Sequence, residues 1–226
     1  MAILLCVLVL LTIGVSASQG LMTRADVLKR LIEPTNPNVI PLDSDTPLDV
    51  SLSVKLLNIE GVNEDEEQVE LTLWLGMRWS VPVFGWREDV ATFDEISVPA
   101  SLVWVPDLTI LNSISYPDLL VADRAVVGSD GAVTFVPSLK VKVKCQNLRH
   151  FQGATCRLRA GSWTHSTKDV TLSIPEGADP LEYFQSEKYS VQVVSQTVKD
   201  EKYSCCKNTY DELSLVFTIR DKSLND

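Results

Sequence analysis

V-E-L-T-L-W-L-G-M-R-W, residues Val69 to Trp79, alternates two kinds of side chain with a period of two. Val69, Leu71, Leu73, Leu75, Met77 and Trp79 form one phase; Glu70, Thr72, Trp74, Gly76 and Arg78 form the other. Successive side chains on a strand point to opposite faces, so this pattern predicts a strand with one buried face, as in antiparallel sheets. Leu48, Val50, Leu52, Val54 and Leu56 repeat the pattern, as do Leu139, Val141, Val143 and Cys145 between Lys140, Lys142 and Lys144. Leu213, Leu215, Phe217 and Ile219 close the series. Such strands, separated by Pro, Gly and Asp turns, predict an all-β antiparallel sandwich or barrel. Gly128–Gly131, G-S-D-G, reads as a hairpin turn. Ahead of the strands, Thr23 and Asp26 are spaced as a capping box. Val27, Leu28, Leu31 and Ile32 follow at helical spacing and Pro34 ends the run, which predicts one short helix.

Two tryptophans fall in the wrong phase. Trp74 shares a face with Glu70 and Arg78, while Trp163 shares one with Thr155, Arg157 and Arg159, opposite Cys156, Leu158 and Ala160. Partial burial beneath a loop, or a bulge that flips the phase, accounts for such a ring. So does an aromatic surface site or an interface anchor. The phase alone does not choose between them.

The chain has 226 residues, 45% of them hydrophobic, enough to bury one large β domain. No linker, internal repeat or low-complexity segment divides it. Met1–Val15 is apolar with no charged side chain, and the small residues of Val15–Gly20 follow. Residues 1–20 therefore read as a secretory signal peptide, whose apolar run Met1–Val15 is shorter than the roughly 20 apolar residues of a comfortable span. The domain expected after it is 21–226, secreted and extracellular, with no membrane span in the mature chain. A net charge of −10 argues against nucleic acid as a partner; its negative field would favour a cationic ligand, although for charge alone solubility is the better reading. No cofactor is expected. Only His150 and His165 are present and no paired CxxC occurs, so no metal is expected either. His165, Ser166 and Asp169 lie close in sequence without a nucleophile-elbow motif, and are read as structural rather than as an enzyme's machinery.

Loss of the signal removes Cys6 and leaves Cys145, Cys156, Cys205 and Cys206. An even count in a secreted chain suggests two disulfides. A bond between Cys145 and Cys156 would close a ten-residue loop, worth about 3 kcal/mol in the chain-entropy model. Cys205 and Cys206 are adjacent, with Cα atoms only about 3.8 Å apart across a trans peptide. A bond there adds almost no loop closure, and a stiff loop tip is the better reason for it. Two free thiols are the alternative.

These cysteines belong to longer motifs: W-L-G-M-R-W at Trp74–Trp79, W-V-P-D-L at Trp104–Leu108 and S-D-G at Ser129–Gly131. G-A-T-C-R-L-R-A-G-S-W-T-H-S spans Gly153–Ser166, with E-Y-F at Glu182–Phe184 and Y-S-C-C-K-N-T-Y at Tyr203–Tyr210. In these the chain resembles the acetylcholine-binding proteins, soluble secreted relatives of the extracellular ligand-binding domain of nicotinic Cys-loop receptors. The resemblance covers nearly all of the chain after residue 20. It implies an N-terminal helix, a ten-stranded antiparallel β-sandwich and a homopentamer. It also implies the disulfides Cys145–Cys156 and Cys205–Cys206. Small cationic ligands, acetylcholine and nicotinic agonists or antagonists, would bind between subunits. The principal face would supply Leu111, Trp163, Tyr203, Cys205, Cys206 and Tyr210. The complementary face would supply Trp74, with Val126, Thr134 and Val136 at variable contact positions. Asp179 and Glu182 match an acidic region below the site.

The chain departs from the pattern twice. Leu111 stands where the family carries a tyrosine, seven residues after the W-x-P-D tryptophan, so one wall of the cage is aliphatic. The loop between Cys145 and Cys156 is shorter than the family's, which suits a protein with no channel to gate. The alternative is the extracellular domain of a ligand-gated channel subunit. Against it the sequence stays polar through R-D-K-S-L-N-D to Asp226.

Overall fold

The Thr23 hydroxyl accepts the Asp26 backbone N–H at 3.3 Å, and the Asp26 carboxylate accepts the Thr23 N–H at 2.9 Å. This is the capping box expected from sequence, and it opens helix α1, Arg24–Ile32. Val27 and Leu31 on its inner face are buried. Arg24 ties the helix to the sheet, donating to the Glu95 carbonyl at 2.9 Å and lying 4.5 Å above the Phe93 ring.

The computed structural model describes residues 21–42, 45–121, 123–148 and 153–225. The expected signal peptide and His150 lie outside them. Twelve strands follow α1: β1 (Leu48–Asn63), β2 (Gln68–Ser80), β3 (Glu95–Pro99), β4 (Leu108–Ile110), β5 (Asp118–Val121) and β6 (Arg124–Gly128). Then come β7 (Ala132–Phe135), β8 (Ser138–Gln146), β9 (Ala154–Ser162), β10 (Val170–Ser173), β11 (Tyr189–Glu201) and β12 (Tyr210–Asp221).

The excess over ten has a local cause. β7 and β8 pair with β2 in one continuing register, Met77↔Phe135 and then Trp74↔Ser138. Between them stands Pro137, which has no N–H to give the ladder, although its carbonyl still accepts from Leu75 at 3.0 Å. In the same way β5 pairs with β8 and β6 with β7. Counted as two interrupted strands, these four give the ten of the expected sandwich.

One layer holds β1, β2, β3, β5, β6, β7, β8 and β10; the other holds β4, β9, β11 and β12. Every pairing is antiparallel except β1 with β10, reached by a long crossover. The inward phase of β2 is buried from Val69 to Trp79, and it meets Leu158, Leu215 and Phe217 of the other layer in one core. Fully burying each such side chain contributes roughly 1.5 to 3 kcal/mol.

The G-S-D-G segment turns β6 into β7, with the Gly131 N–H on the Gly128 carbonyl at 2.9 Å. Gly131 has φ +81°, and a Cβ there would stand 2.8 Å from the Val81 carbonyl oxygen, so this position requires glycine. Cys145 and Cys156 face each other across β8 and β9, bonded, with Cα atoms 4.3 Å apart. Among the described residues, no helix is long and apolar enough to cross a membrane.

Candidate functional site

The site is organised by a carboxylate. β4 pairs with the end of β9, Leu108 against Ser162, and this sets Asp107 beside the turn that follows β9. Ser162 Oγ donates to Asp107 Oδ1, while the Thr164 backbone N–H and hydroxyl donate to Oδ2 at 2.8 and 2.7 Å. Ser162 Oγ in turn accepts the His165 N–H at 2.7 Å. Burial pushes the Asp107 carboxyl upward, but the donors Ser162 and Thr164 together outweigh it and hold it below the usual range. Trp163 sits between these anchored residues and is 75% exposed.

Trp104, from the same segment as Asp107, meets His165 edge-on at 5.9 Å and Trp79 at 5.9 Å. Three motifs distant in sequence thus converge. Ser166 is buried and its hydroxyl serves Asn208 and Asp169, while His165 packs on Trp104.

β11 and β12 form a long hairpin whose last pair is Glu201↔Tyr210. Its tip carries Cys205 and Cys206, bonded to each other with Cα atoms 3.8 Å apart. Tyr203 and Tyr210 meet edge-on at 5.8 Å on its inner side. The Tyr203 hydroxyl donates to Glu212 Oε2 at 3.2 Å. Glu212 is 6% exposed and takes both ends of the Arg159 guanidinium. That hydrogen bonding raises Arg159 above its ordinary pKa. Burial first, then the negative Glu212, pushes the Tyr203 phenol up.

Leu111, Trp163, Tyr203, Cys205, Cys206 and Tyr210 border one cavity of about 290 Å³, together with Arg159 and Ser162. All six residues that the resemblance assigned to the principal face are therefore neighbours. Leu111 is held by its N–H on the Arg159 carbonyl at 2.8 Å. Its Cδ1 lies 3.2 Å from where a Cβ would stand at Gly161, so the glycine makes room for it. Arg159 and Glu212 were not singled out from sequence. Arg159 gave a signal, since it shares its phase with Trp163.

The remaining four residues lie elsewhere. Val126 pairs with Thr134, Thr134 with Arg78, and Trp74 with Lys55 and Ser138. With Val136, they occupy the outward phase of the first layer and do not border the principal cavity. Trp74 rests on Tyr183, ring centroids 5.3 Å apart at 56°, in a groove that also includes Glu60 and Gln185. Sequence reading did not nominate Tyr183. The two out-of-phase tryptophans thus part company: Trp74 is half covered by a loop of its own chain, and Trp163 is bare.

The sequence model of the neurotransmitter-gated ion-channel ligand binding domain matches residues 24–223. The chain belongs to this family. The human neuronal acetylcholine receptor subunit alpha-2 is 24% identical over 187 residues, 80% of this chain and 35% of the receptor subunit. The alpha-3 subunit of Carassius auratus is 27% identical over 204 residues, 86% of this chain and 39% of the subunit. This ligand-binding domain therefore spans little more than a third of the receptor subunits it matches. The crystal structure of AChBP from Bulinus truncatus is 40% identical, with a TM-score of 0.79, over 87% of this chain and 97% of that one. The likeness is thus to a ligand-binding domain throughout, and it extends over almost the whole of a solved protein of similar size.

Proposed function

We propose that this chain is a secreted binding protein for acetylcholine-like and nicotinic cationic ligands, held in aromatic cages between the subunits of a homopentamer. The observation that carries the proposal is the cavity in which Trp163, Tyr203 and Tyr210 surround a volume closed by the Cys205–Cys206 tip. A quaternary or protonated amine is attracted to each ring face, worth roughly 0.5 to 2 kcal/mol once water is excluded. Glu212 neutralises the one cation at the cavity's edge, Arg159, so it repels such a ligand little. Trp163, exposed in the single chain, is suited to a contact that another copy completes. Trp74 and its neighbours lie on a different face; a contact between unlike faces either closes into a ring or grows into a filament, and the proposal takes the closed ring. Likeness to AChBP along 97% of that chain supports the size and class of the product.

The second reading is the extracellular domain of a channel subunit. It is favoured by the receptor relatives, of which the chain covers only about a third. Calorimetry with acetylcholine, a nicotine-like agonist and unrelated neutral amides tests the binding reading. Selective binding of the cations supports it, and equal or absent binding of all three overturns it. The length of the natural transcript separates the two products: a message whose coding region stops near Asp226 supports the binding protein, and one that continues into membrane-spanning segments supports the channel reading.

A further inference from the structure

Lys55 stands directly across β1 and β2 from Trp74. A lysine on a polar strand face normally extends into water, but here the side chain is only 17% exposed. Its ammonium donates to Glu182 Oε2 at 2.6 Å and to the Asp179 carbonyl at 2.9 Å. It also lies 5.9 Å from the centroid of the Tyr183 ring, which in turn rests on Trp74. One cation thus holds the segment that leans on the tryptophan.

That segment is irregular, although Leu181 and Phe184 on either side of Tyr183 pack on the core and the Phe184 N–H bonds the Leu181 carbonyl at 2.9 Å. No helix or strand occurs between Ser173 and Tyr189. Its backbone is tied to β1 by the Leu56 N–H on the Pro180 carbonyl at 2.8 Å and the Gln185 N–H on the Leu57 carbonyl at 3.1 Å. These bonds hold the chain near the sheet without setting the Tyr183 ring. Lys55 reaches across Pro180 and Leu181, to the Asp179 carbonyl on one side and the Glu182 carboxylate on the other. Lys55 first, and then Tyr183, keep the Glu182 carboxylate charged.

We propose that Lys55 is a positioning residue for the complementary face. Through Glu182 and the Asp179 carbonyl it sets Tyr183 against Trp74, and so fixes the orientation in which the Trp74 indole is presented to a ligand held by the neighbouring subunit. An indole supported on one side spends less of its time in rotamers that miss the ligand, and preorganisation of this kind raises affinity without adding a contact. The inference rests on the intersubunit reading of Trp74.

Acetylcholine titration of the full-length pentamer tests it, with Trp74→Ala as the reference. Lys55→Met and Glu182→Gln are each expected to weaken binding about three- to fivefold, and the double variant to lose no more than either alone. Lys55→Arg is expected to stay within about twofold of the parent, a rescue that general damage to the sheet would not show. Should Lys55→Met fail to fold, Glu182→Gln on the exposed loop carries the test. If Trp74→Ala weakens binding while Glu182→Gln and Lys55→Met leave it unchanged, the positioning role is overturned. If Trp74→Ala is itself neutral, the complementary-face assignment falls and takes this inference with it.

Discussion

Arg159 grips Glu212 with both ends of its guanidinium, and the Tyr203 hydroxyl shares the same carboxylate. Two strands of the second layer and the base of the hairpin tip are thereby joined at one buried acid. Removing the cation strands the acid. Arg159→Met should destabilise the protein by about 2 to 3 kcal/mol, less than for a fully buried pair because the arginine keeps one flank in water. Arg159→Met with Glu212→Met should recover most of the loss, since an apolar pair of similar volume leaves no unpaired charge. Urea unfolding of the two variants beside the parent measures both.

Asp107 gives a pH dependence of defined sign. Its carboxyl is held below the ordinary value of about 4, so it binds fewer protons in the folded protein than in the unfolded one. The stability it contributes is fully present above that ordinary value and is lost as pH falls through the lower folded value. Asp107→Asn should reduce stability at neutral pH and flatten the acid limb of a melting-temperature profile. An unchanged acid limb would show that Asp107 does not set it.

The cage makes unequal demands on its two tryptophans. Trp163→Ala should cost more affinity for a quaternary amine than Trp74→Ala. Trp163 stands in the cavity with Tyr203 and Tyr210, whereas Trp74 is already half satisfied by Tyr183. Calorimetry on both variants decides the order.

Leu111→Tyr should strengthen acetylcholine binding by roughly 0.5 to 1 kcal/mol, the value of one added ring face. A Cβ at Gly161 would stand 2.9 Å from the Asp211 carbonyl oxygen and 3.2 Å from Leu111 Cδ1, so the position beneath Leu111 has no room for an added side chain. The gain should therefore disappear in a Gly161→Ala background. A neutral or weaker Leu111→Tyr variant that remains oligomeric would remove Leu111 from the cage wall.

Light scattering at micromolar concentration should give five copies. A monomer would deprive Trp163 and Trp74 of a shared site.

The β elements were legible because burial here is one-sided. Val69, Leu71 and Leu73 declare their face by alternation alone, and Thr23 with Asp26 declares the helix start. Strand number was less legible, because Pro137 interrupts a ladder that the apolar pattern carries straight through. Within the site, Trp163 announced itself by phase, and the cysteine pair by adjacency. Asp107 and Glu212 did not, because nothing in the local pattern marks a charged residue that will be covered, and Arg159 showed only the phase it shares with Trp163. Their value here comes chiefly from partners 53 to 57 residues away, such as the Thr164 bonded to Asp107, which no local pattern encodes. Tyr183 was hidden for a related reason: its partner Trp74 lies on another strand, and a loop has no period to read.

The rung formed by Cys145 and Cys156 is one of only two by which β8 touches β9 among the described residues, the other being Gln146 with Thr155. The two layers are therefore hinged like a book at this end, with the sulfur bridge as the spine's stitch. Cutting the stitch leaves two backbone rungs to resist peeling. With Cys145 and Cys156 both replaced by alanine the protein should begin to fray there, with amide exchange quickening first at Gln146 and Thr155, while the hairpin tip at the opposite end of β9, its own Cys205–Cys206 bond intact, keeps its shape.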